Sequence, residues 1–338
     1  MSQPKLVVIG NGMVGHKFLQ AMVNNESNKK YEVITFCEET RLAYDRVQLS
    51  SFFSGKTADD LSLVEPGFYE ENNITVHTGD RAAHIDRDKQ VVTSANGISV
   101  AYDKLVLATG SFPFVPPIPG NERKNCFVYR TIDDLNDIAT AGQTSKVGVV
   151  IGGGLLGLEA AKALKDLGLK THVVEFAPRL MAVQIDDGAG ALLRKKIEEL
   201  DVSVHTQKNT KNIVDGEECV HRMNFADGTH IETDVILFSA GIRPRDDIAR
   251  DCDLTLGARG GIVIDDNCLT SDENIYAIGE CALWDGKIFG LVAPGYQMAQ
   301  VVADQLSDKQ NAFTGADMST KLKLMGVAFV FKFYLLTF

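Results

Sequence analysis

The sequence predicts an α/β protein in which one parallel-sheet, doubly wound unit is inserted into another of the same kind. Three observations carry this expectation. Short apolar runs at 5–9 (KLVVI) and 147–151 (VGVVI) read as buried strands and lead straight into glycine turns. Those turns, GNGMVG at 10–15 and GGGLLG at 152–157, share the spacing GxGxxG. The surroundings recur too: VHT at 76–78 returns at 204–206, and DKLVLATG at 103–110 returns as DVILFSAG at 234–241. The repeat is far too long for a solenoid, so it marks a duplicated domain.

Each glycine of such a turn has a separate physical task. Gly10 and Gly152 permit the tight turn, Gly12 and Gly154 let a pyrophosphate approach the backbone, and Gly15 and Gly157 let the next helix pack on the strand. The helix N-terminus then offers unpaired N–H groups to the phosphates. One such motif is a weak signal. Two in one chain imply two dinucleotides. An acid closing the second strand of such a fold accepts from a ribose hydroxyl. In the first copy the strand 31–37 is followed by Glu38 and Glu39, of which Glu38 comes first. In the second, the strand 171–174 ends in Glu175.

Taken in order, a helix is expected over 16–24, then the strand and its acids, then the stretch TRLAYDRVQLSS. There an arginine, Arg41 or Arg46, is suited to clamp a diphosphate through its planar fork or to form a surface ion pair. Strands alternating with turn residues from 74 to 110 read as a meander returning to the sheet. The run SFPFVPPIPG reads as a linker. After the second copy, strands are expected at 261–265 and 274–278, then Gly279–Glu280 and a helix over 295–306. Asp186 and Asp187 signal a helix start before 189–200. The domains expected are 1–118 and 248–315 for the first fold and 119–247 for the inserted one. Residues 316–338 would begin a further domain.

Composition narrows the function. The 338 residues carry a net charge of −11, and no basic stripe offsets repulsion from a nucleic-acid backbone. The start, MSQPKLVVIG, has no basic-then-apolar leader, and no stretch reaches membrane-spanning length. A soluble cytoplasmic protein is expected. Six cysteines, at 37, 126, 219, 252, 268 and 281, show no CxxC or cluster spacing. No metal site is expected. His16, His77, His205 and Trp284 read as packing residues.

The stretches IGNGMVGHKF, AYDRVQLSSFFS, VVIGGGLLGLEAAKALKDLG, HVVEFAPRLMA, GIRPRD and YAIGECALW carry a family resemblance. The chain resembles the two-dinucleotide flavoprotein reductases related to glutathione reductase. Within them it is most similar to the large subunits of NAD(P)H-dependent nitrite reductase, over residues 5–325. The resemblance implies tandem Rossmann-like, glutathione-reductase-type domains for FAD and NAD(P), the NAD domain inserted in the FAD domain. It implies that Gly10, Gly12, Gly15 and Glu38 hold the FAD adenosine diphosphate. Arg46, Ala108, Thr109, Gly110, Arg130 and Glu280 would line its phosphates, ribityl chain and ring. Gly152, Gly154, Gly157 and Glu175 would hold the NAD(P)H adenosine half, with Glu159 and Gly241 near the nicotinamide. Hydride passes between cofactors in this family, so no catalytic acid, base or cysteine pair is required. Glu175 favours NADH, whereas Arg179 is placed in the sequence to meet a 2′-phosphate and keeps NADPH as the alternative.

Family members continue into an interface domain, a cluster-binding module and a sirohaem and iron–sulfur reductase. Here the resemblance stops near 327, and the apolar AFVFKFYLLTF follows. It reads either as the tail of a truncated or frameshifted product or as a strand that pairs with another chain. With no cluster spacing, this chain is expected to reduce its own FAD and pass electrons to oxygen, a dye or a separate acceptor protein or module. It is not expected to hold sirohaem or an iron–sulfur cluster, or to reduce nitrite alone. A homodimer is left open. The alternatives are an NADH:rubredoxin or ferredoxin reductase, an NADH oxidase, or a catalytically silent flavin-binding sensor.

Overall fold

The computed structural model describes residues 3–318, 320–324 and 327–331. The chain divides into two compact units. The first gathers Met1–Asp45, Ser62–Phe112 and Arg243–Met318; the second gathers Arg46–Leu61, Pro113–Ile242 and the terminal segment. The sequence reading changes domain at 118 and 247, whereas the compact units change at 112 and 242, and Arg46–Leu61 packs with the second unit.

Each unit is built on a five-stranded parallel sheet. In the first, the strand order is Ile275–Ala277, Lys104–Leu107, Lys5–Ile9, Glu32–Cys37, Ile74–Thr78. Leu6, Val7 and Val8 are fully buried because helices and loops cover both faces, which explains the unbroken apolar runs in the sequence. In the second, the order is Val202–His205, Lys170–Val174, Val147–Ile151, Val235–Phe238, Cys126–Val128. The registers coincide: Ile9 pairs with Phe36 and Leu107, and Ile151 pairs with Val174 and Phe238. The two sheets differ in where the outer strand comes from. In the second unit Cys126–Val128 precedes the sheet in the chain. In the first, Ile275–Ala277 joins Lys104–Leu107 only after the whole second unit has been made. Both units add an antiparallel meander, Ala82–Asp86 to Ser99–Ala101 and Thr210–Asp215 to His230–Thr233.

Four helices begin earlier than the sequence suggests. The helix expected after Gly15 runs Met13–Asn24, since Gly12 is its N-cap and Gly15 lies inside it. Its counterpart is Leu155–Asp166, capped by Gly154. The last runs Val292–Gln305, because Pro294 sits in the first turn, where its missing N–H costs nothing. Asp186 caps Asp187–Glu198, its carboxylate accepting from the Ala189 N–H at 2.8 Å. Near the chain's end, Val327–Phe331 pairs antiparallel with Thr320–Leu324, so this part of the apolar tail meets its own chain. Residues 332–338 of that tail lie outside the described residues.

The first glycine helix is seated by two further glycines. A Cβ at Gly295 would come within 2.6 Å of Val14 Cγ2, and one at Gly279 within 3.2 Å of the same methyl. Gly295→Ala therefore destabilises the protein by about 2 kcal/mol despite the better helix propensity of alanine. Adding Val14→Ala recovers part of that loss, and the non-additivity is read from thermal melts of the two single variants and the double.

Candidate functional site

The two glycine turns repeat each other atom for atom. At Gly10, φ is +105°, and a Cβ would overlap the carbonyl of Ala108; at Gly152, φ is +117°, and it would overlap the carbonyl of Ser239. A Cβ at Gly15 would strike the Gly10 carbonyl oxygen, and one at Gly157 the Gly152 carbonyl oxygen. At Gly12 and Gly154 a Cβ would meet nothing within 4 Å. The middle glycine of each turn thus faces open space, where a bulky group can lie against bare backbone. Both helices also start without a side-chain cap and without an acid in the first turn. Their free N–H groups and positive dipole ends suit an anion. This cradle fits the pyrophosphate of a dinucleotide in both units.

The acids differ between the copies. The Gly10 N–H donates to Phe36 O at 2.9 Å and the Gly152 N–H to Val174 O at 2.8 Å, so Cys37, not Glu38, occupies the place of Glu175. Glu38 stands one residue further on and is ion-paired with Arg245. Glu39 accepts from the Tyr44 hydroxyl at 2.8 Å. Glu175 turns back onto its own loop, accepting from the Gly153 N–H at 2.6 Å and the Ala177 N–H at 2.7 Å. Arg179 does not extend toward it. Its donors go to Ile185 O at 2.8 Å, Ala182 O at 3.2 Å and Asp187 at 2.7 Å, so the cation expected to meet a 2′-phosphate is already committed.

In the first unit, the strand ending at Leu107 delivers Ala108, Thr109 and Gly110 beside the glycine turn. The Ala108 N–H donates to Ile9 O, and the Thr109 hydroxyl donates to Arg245 O at 2.6 Å. Gly110 has φ +70°. Glu280, in the short turn after Ile275–Ala277, accepts from the Ser111 hydroxyl at 2.5 Å. Arg46 and Arg130 belong to the second unit, where the Arg46 guanidinium donates to Arg130 O at 2.8 Å. Gly241, with φ +107°, accepts from the Phe114 N–H at 2.8 Å.

Glu159 is a carboxylic acid of the second unit held toward its neutral form. It lies one turn into the helix Leu155–Asp166, and burial pushes its carboxyl up to about 7. Nearby, Tyr129 is 5% exposed; burial and the Glu159 charge both raise its phenol. The Tyr129 hydroxyl has no hydrogen-bond partner among the described residues. A buried hydroxyl left unpaired is costly unless a ligand meets it.

The residues expected only to pack do so, with one exception. Trp284 donates to Asp266 and packs on Phe313, and His77 stacks on Phe36. His205 meets His172 ring to ring, with nitrogens 3.0 Å apart. His16 does more than pack: it joins Asn11 and Tyr69 in a buried polar cluster beneath the first glycine turn. The asparagine between two glycines was its visible signal, but Tyr69 lies too far away in the chain to be connected by pattern. Among the described residues no group of three or more His, Cys, Asp or Glu is arranged to hold a metal. No described helix is long and apolar enough to cross a membrane.

Two uncapped glycine turns on two parallel sheets define a protein built for a pair of dinucleotides. The family model for pyridine nucleotide-disulphide oxidoreductases matches residues 4–305, and the chain belongs to that family. By class it is an NAD(P)H-dependent flavoprotein oxidoreductase. It is 56% identical over 328 residues to the nitrite reductase (NADH) large subunit of Escherichia coli (strain K12), an alignment covering 97% of this chain and 39% of that protein. It is 30% identical to the nitric oxide reductase FlRd-NAD(+) reductase of Aliivibrio fischeri, covering 96% of this chain and 84% of the relative. Among solved structures, an NAD-dependent persulfide reductase from A. fulgidus matches with a TM-score of 0.88 at 26% identity, over 95% of this chain and 62% of that one. The chain thus spans well under half the length of the nitrite reductase subunit it matches.

Two outcomes follow from this geometry. Gly157→Ala should cost about 3 kcal/mol in a thermal or urea melt, because backbone must move, whereas Gly154→Ala should fall within about 0.5 kcal/mol. Glu159 gives a pH signature. The folded protein holds its proton more tightly than the unfolded chain, so this group's contribution to stability is complete below about pH 4.5 and is lost as pH rises to about 7. Glu159→Gln removes that loss. The variant should gain up to roughly 3 kcal/mol over the parent at pH 8 and nothing at pH 4, measured by denaturant melts of the apoprotein.

Proposed function

We propose that this chain is the NADH-oxidising, FAD-binding electron-transfer part of a nitrite reductase large subunit. The paired glycine cradles carry the reading, and 56% identity to the Escherichia coli subunit supports its assignment to that enzyme type. In it, Gly10, Gly12, Gly15 and Glu38 hold the adenosine diphosphate of FAD, while Ala108, Thr109, Gly110 and Glu280 line the rest of the cofactor. Gly152, Gly154, Gly157 and Glu175 hold the adenosine half of NADH, with Gly241 near its other end.

When bound, FAD supplies hydride acceptance and onward electron release. What the chain's own residues do is bind, orient and exclude water. Glu159 and the unpaired Tyr129 hydroxyl are the polar groups of the second unit best suited to the nicotinamide carboxamide. A carboxyl titrating near neutrality serves as hydrogen-bond donor when protonated and acceptor when ionised. Glu175 accepts from a ribose hydroxyl and repels a 2′-phosphate, and committed Arg179 offers no counterweight, so NADH is the preferred reductant. Six cysteines with no disulfide among the described residues suit the cytoplasm, where we place the protein. The reading puts nitrite reduction itself on an acceptor module with its own cluster, since these six cysteines lack cluster spacing. A free-standing reductase serving a small electron carrier is the second reading, favoured by the Aliivibrio fischeri relative, which this chain covers for 84% of its length.

The test is an anaerobic titration with NADH, following flavin absorbance near about 450 nm. Bleaching at one equivalent is the expected result; a yellow protein that NADH does not bleach overturns the reading in favour of a silent flavin binder. NADPH should bleach at least about tenfold more slowly, and Glu175→Gln should narrow that gap by removing the repelling charge, as read by stopped-flow absorbance.

A further inference from the structure

The two glycine turns have the same backbone but are anchored in different ways. In the second, the loop residue Gly153 donates its N–H to Glu175, the acid read above as the ribose acceptor, and its carbonyl accepts from the Met181 N–H at 2.9 Å. There the loop and the ligand share one carboxylate. In the first, the equivalent residue is Asn11, which is 2% exposed and points its amide inward. Its Nδ2 donates to the Tyr69 hydroxyl at 2.7 Å. His16 lies 3.2 Å from the same hydroxyl through Nδ1, and its Nε2 lies 3.1 Å from Leu63 O.

The protons of this cluster can be assigned by elimination. Leu63 O only accepts, so His16 Nε2 carries the hydrogen and Nδ1 accepts. The Tyr69 hydroxyl takes a hydrogen from Asn11 Nδ2, and its own proton goes to His16 Nδ1 or to Asn11 Oδ1, which is 3.1 Å away. Burial holds the pKa of the imidazole down to about 4, which keeps it neutral at pH 7. His16 and Tyr69 are 1% and 3% exposed, so water cannot substitute for a lost partner. Glu38, meanwhile, is held by Arg245 and plays no part in fixing the loop.

We propose that Asn11, Tyr69 and His16 are positioning residues that fix the first glycine turn from below, independently of its ligand, and so slow release of the dinucleotide bound there. The inference rests on the reading of the first unit as the FAD site. The cluster need not touch FAD. It ties the middle of the phosphate loop to the segment 63–69, so the N–H groups following Gly10 stay aimed whether or not a phosphate is present. A loop held this way need not be ordered again at each binding event, which slows release. The second turn has no such side-chain cluster, since Gly153 has no side chain and Leu158 stands where His16 does; its loop is held through the backbone of Gly153 instead.

The test compares Tyr69→Phe and Asn11→Gly, the latter copying the second turn, in the FAD-loaded full chain. FAD release is followed by recovery of flavin fluorescence after dilution, FAD affinity by titration of the apoprotein, and NADH affinity by NADH fluorescence. The expected result is release at least tenfold faster and FAD affinity at least tenfold weaker, with NADH affinity unchanged. A merely structural role would lower the melting temperature of the apoprotein and leave FAD release from the folded protein where it was; that result overturns the inference. Tyr69→Phe keeps the ring packed between its neighbours, so it reports even where Asn11→Gly fails to fold. A parent protein that takes up no FAD overturns the reading of the first unit and this inference with it. Tight FAD uptake with unchanged release in the variants overturns the inference alone.

Discussion

Everything in this molecule depends on one close approach, repeated twice: a helix pressed so hard against its preceding strand that no side chain fits between them. Gly15 lies on the Gly10 carbonyl and Gly157 on the Gly152 carbonyl, each leaving no room for a Cβ. That contact sets the angle at which the helix leaves the sheet and aims its uncapped N–H groups past Gly12 and Gly154 into open space. Were the helix to pack a side chain's width further out, the strand ends carrying Ala108 and Ser239 would no longer close over the turns, and the anion cradle would be lost.

Around this shared constraint the copies have diverged in how the loop is held. In the second unit the carboxylate of Glu175 and the Met181 N–H close the loop on Gly153. In the first, Glu38 pairs with Arg245, while Asn11 is fastened from below through Tyr69. The one-residue offset that puts Cys37 where Glu175 stands makes this difference possible, because the buried position takes a thiol and the exposed one the charge. Burial also shifts Glu159, His16 and the His172–His205 pair toward their neutral forms.

Much of this was legible in the residues. The parallel sheets follow from apolar runs too continuous for one-sided strands, and the turns follow from glycine spacing whose first and last positions leave no room for a Cβ. Helix starts were misplaced by three residues because the pattern names the glycines but not which of them caps. Arg179 looked available for a phosphate until its donors were found on Ile185, Ala182 and Asp187, all within eight residues of it. Local hydrogen bonds of that kind leave no periodic trace.

The sequence by itself determined the fold class, the duplication and the chemistry of the cradles, because these depend on backbone conformations and packing distances that only particular residue types permit. Tertiary structure decided the partnerships. It brought Tyr69 under Asn11 across 58 residues, Arg245 onto Glu38 across 207, and Ile275–Ala277 back to a sheet begun at Lys5. Such pairs are formed by the folding of the whole sheet, and a side chain's own identity says only that it needs a partner, not which one it will meet.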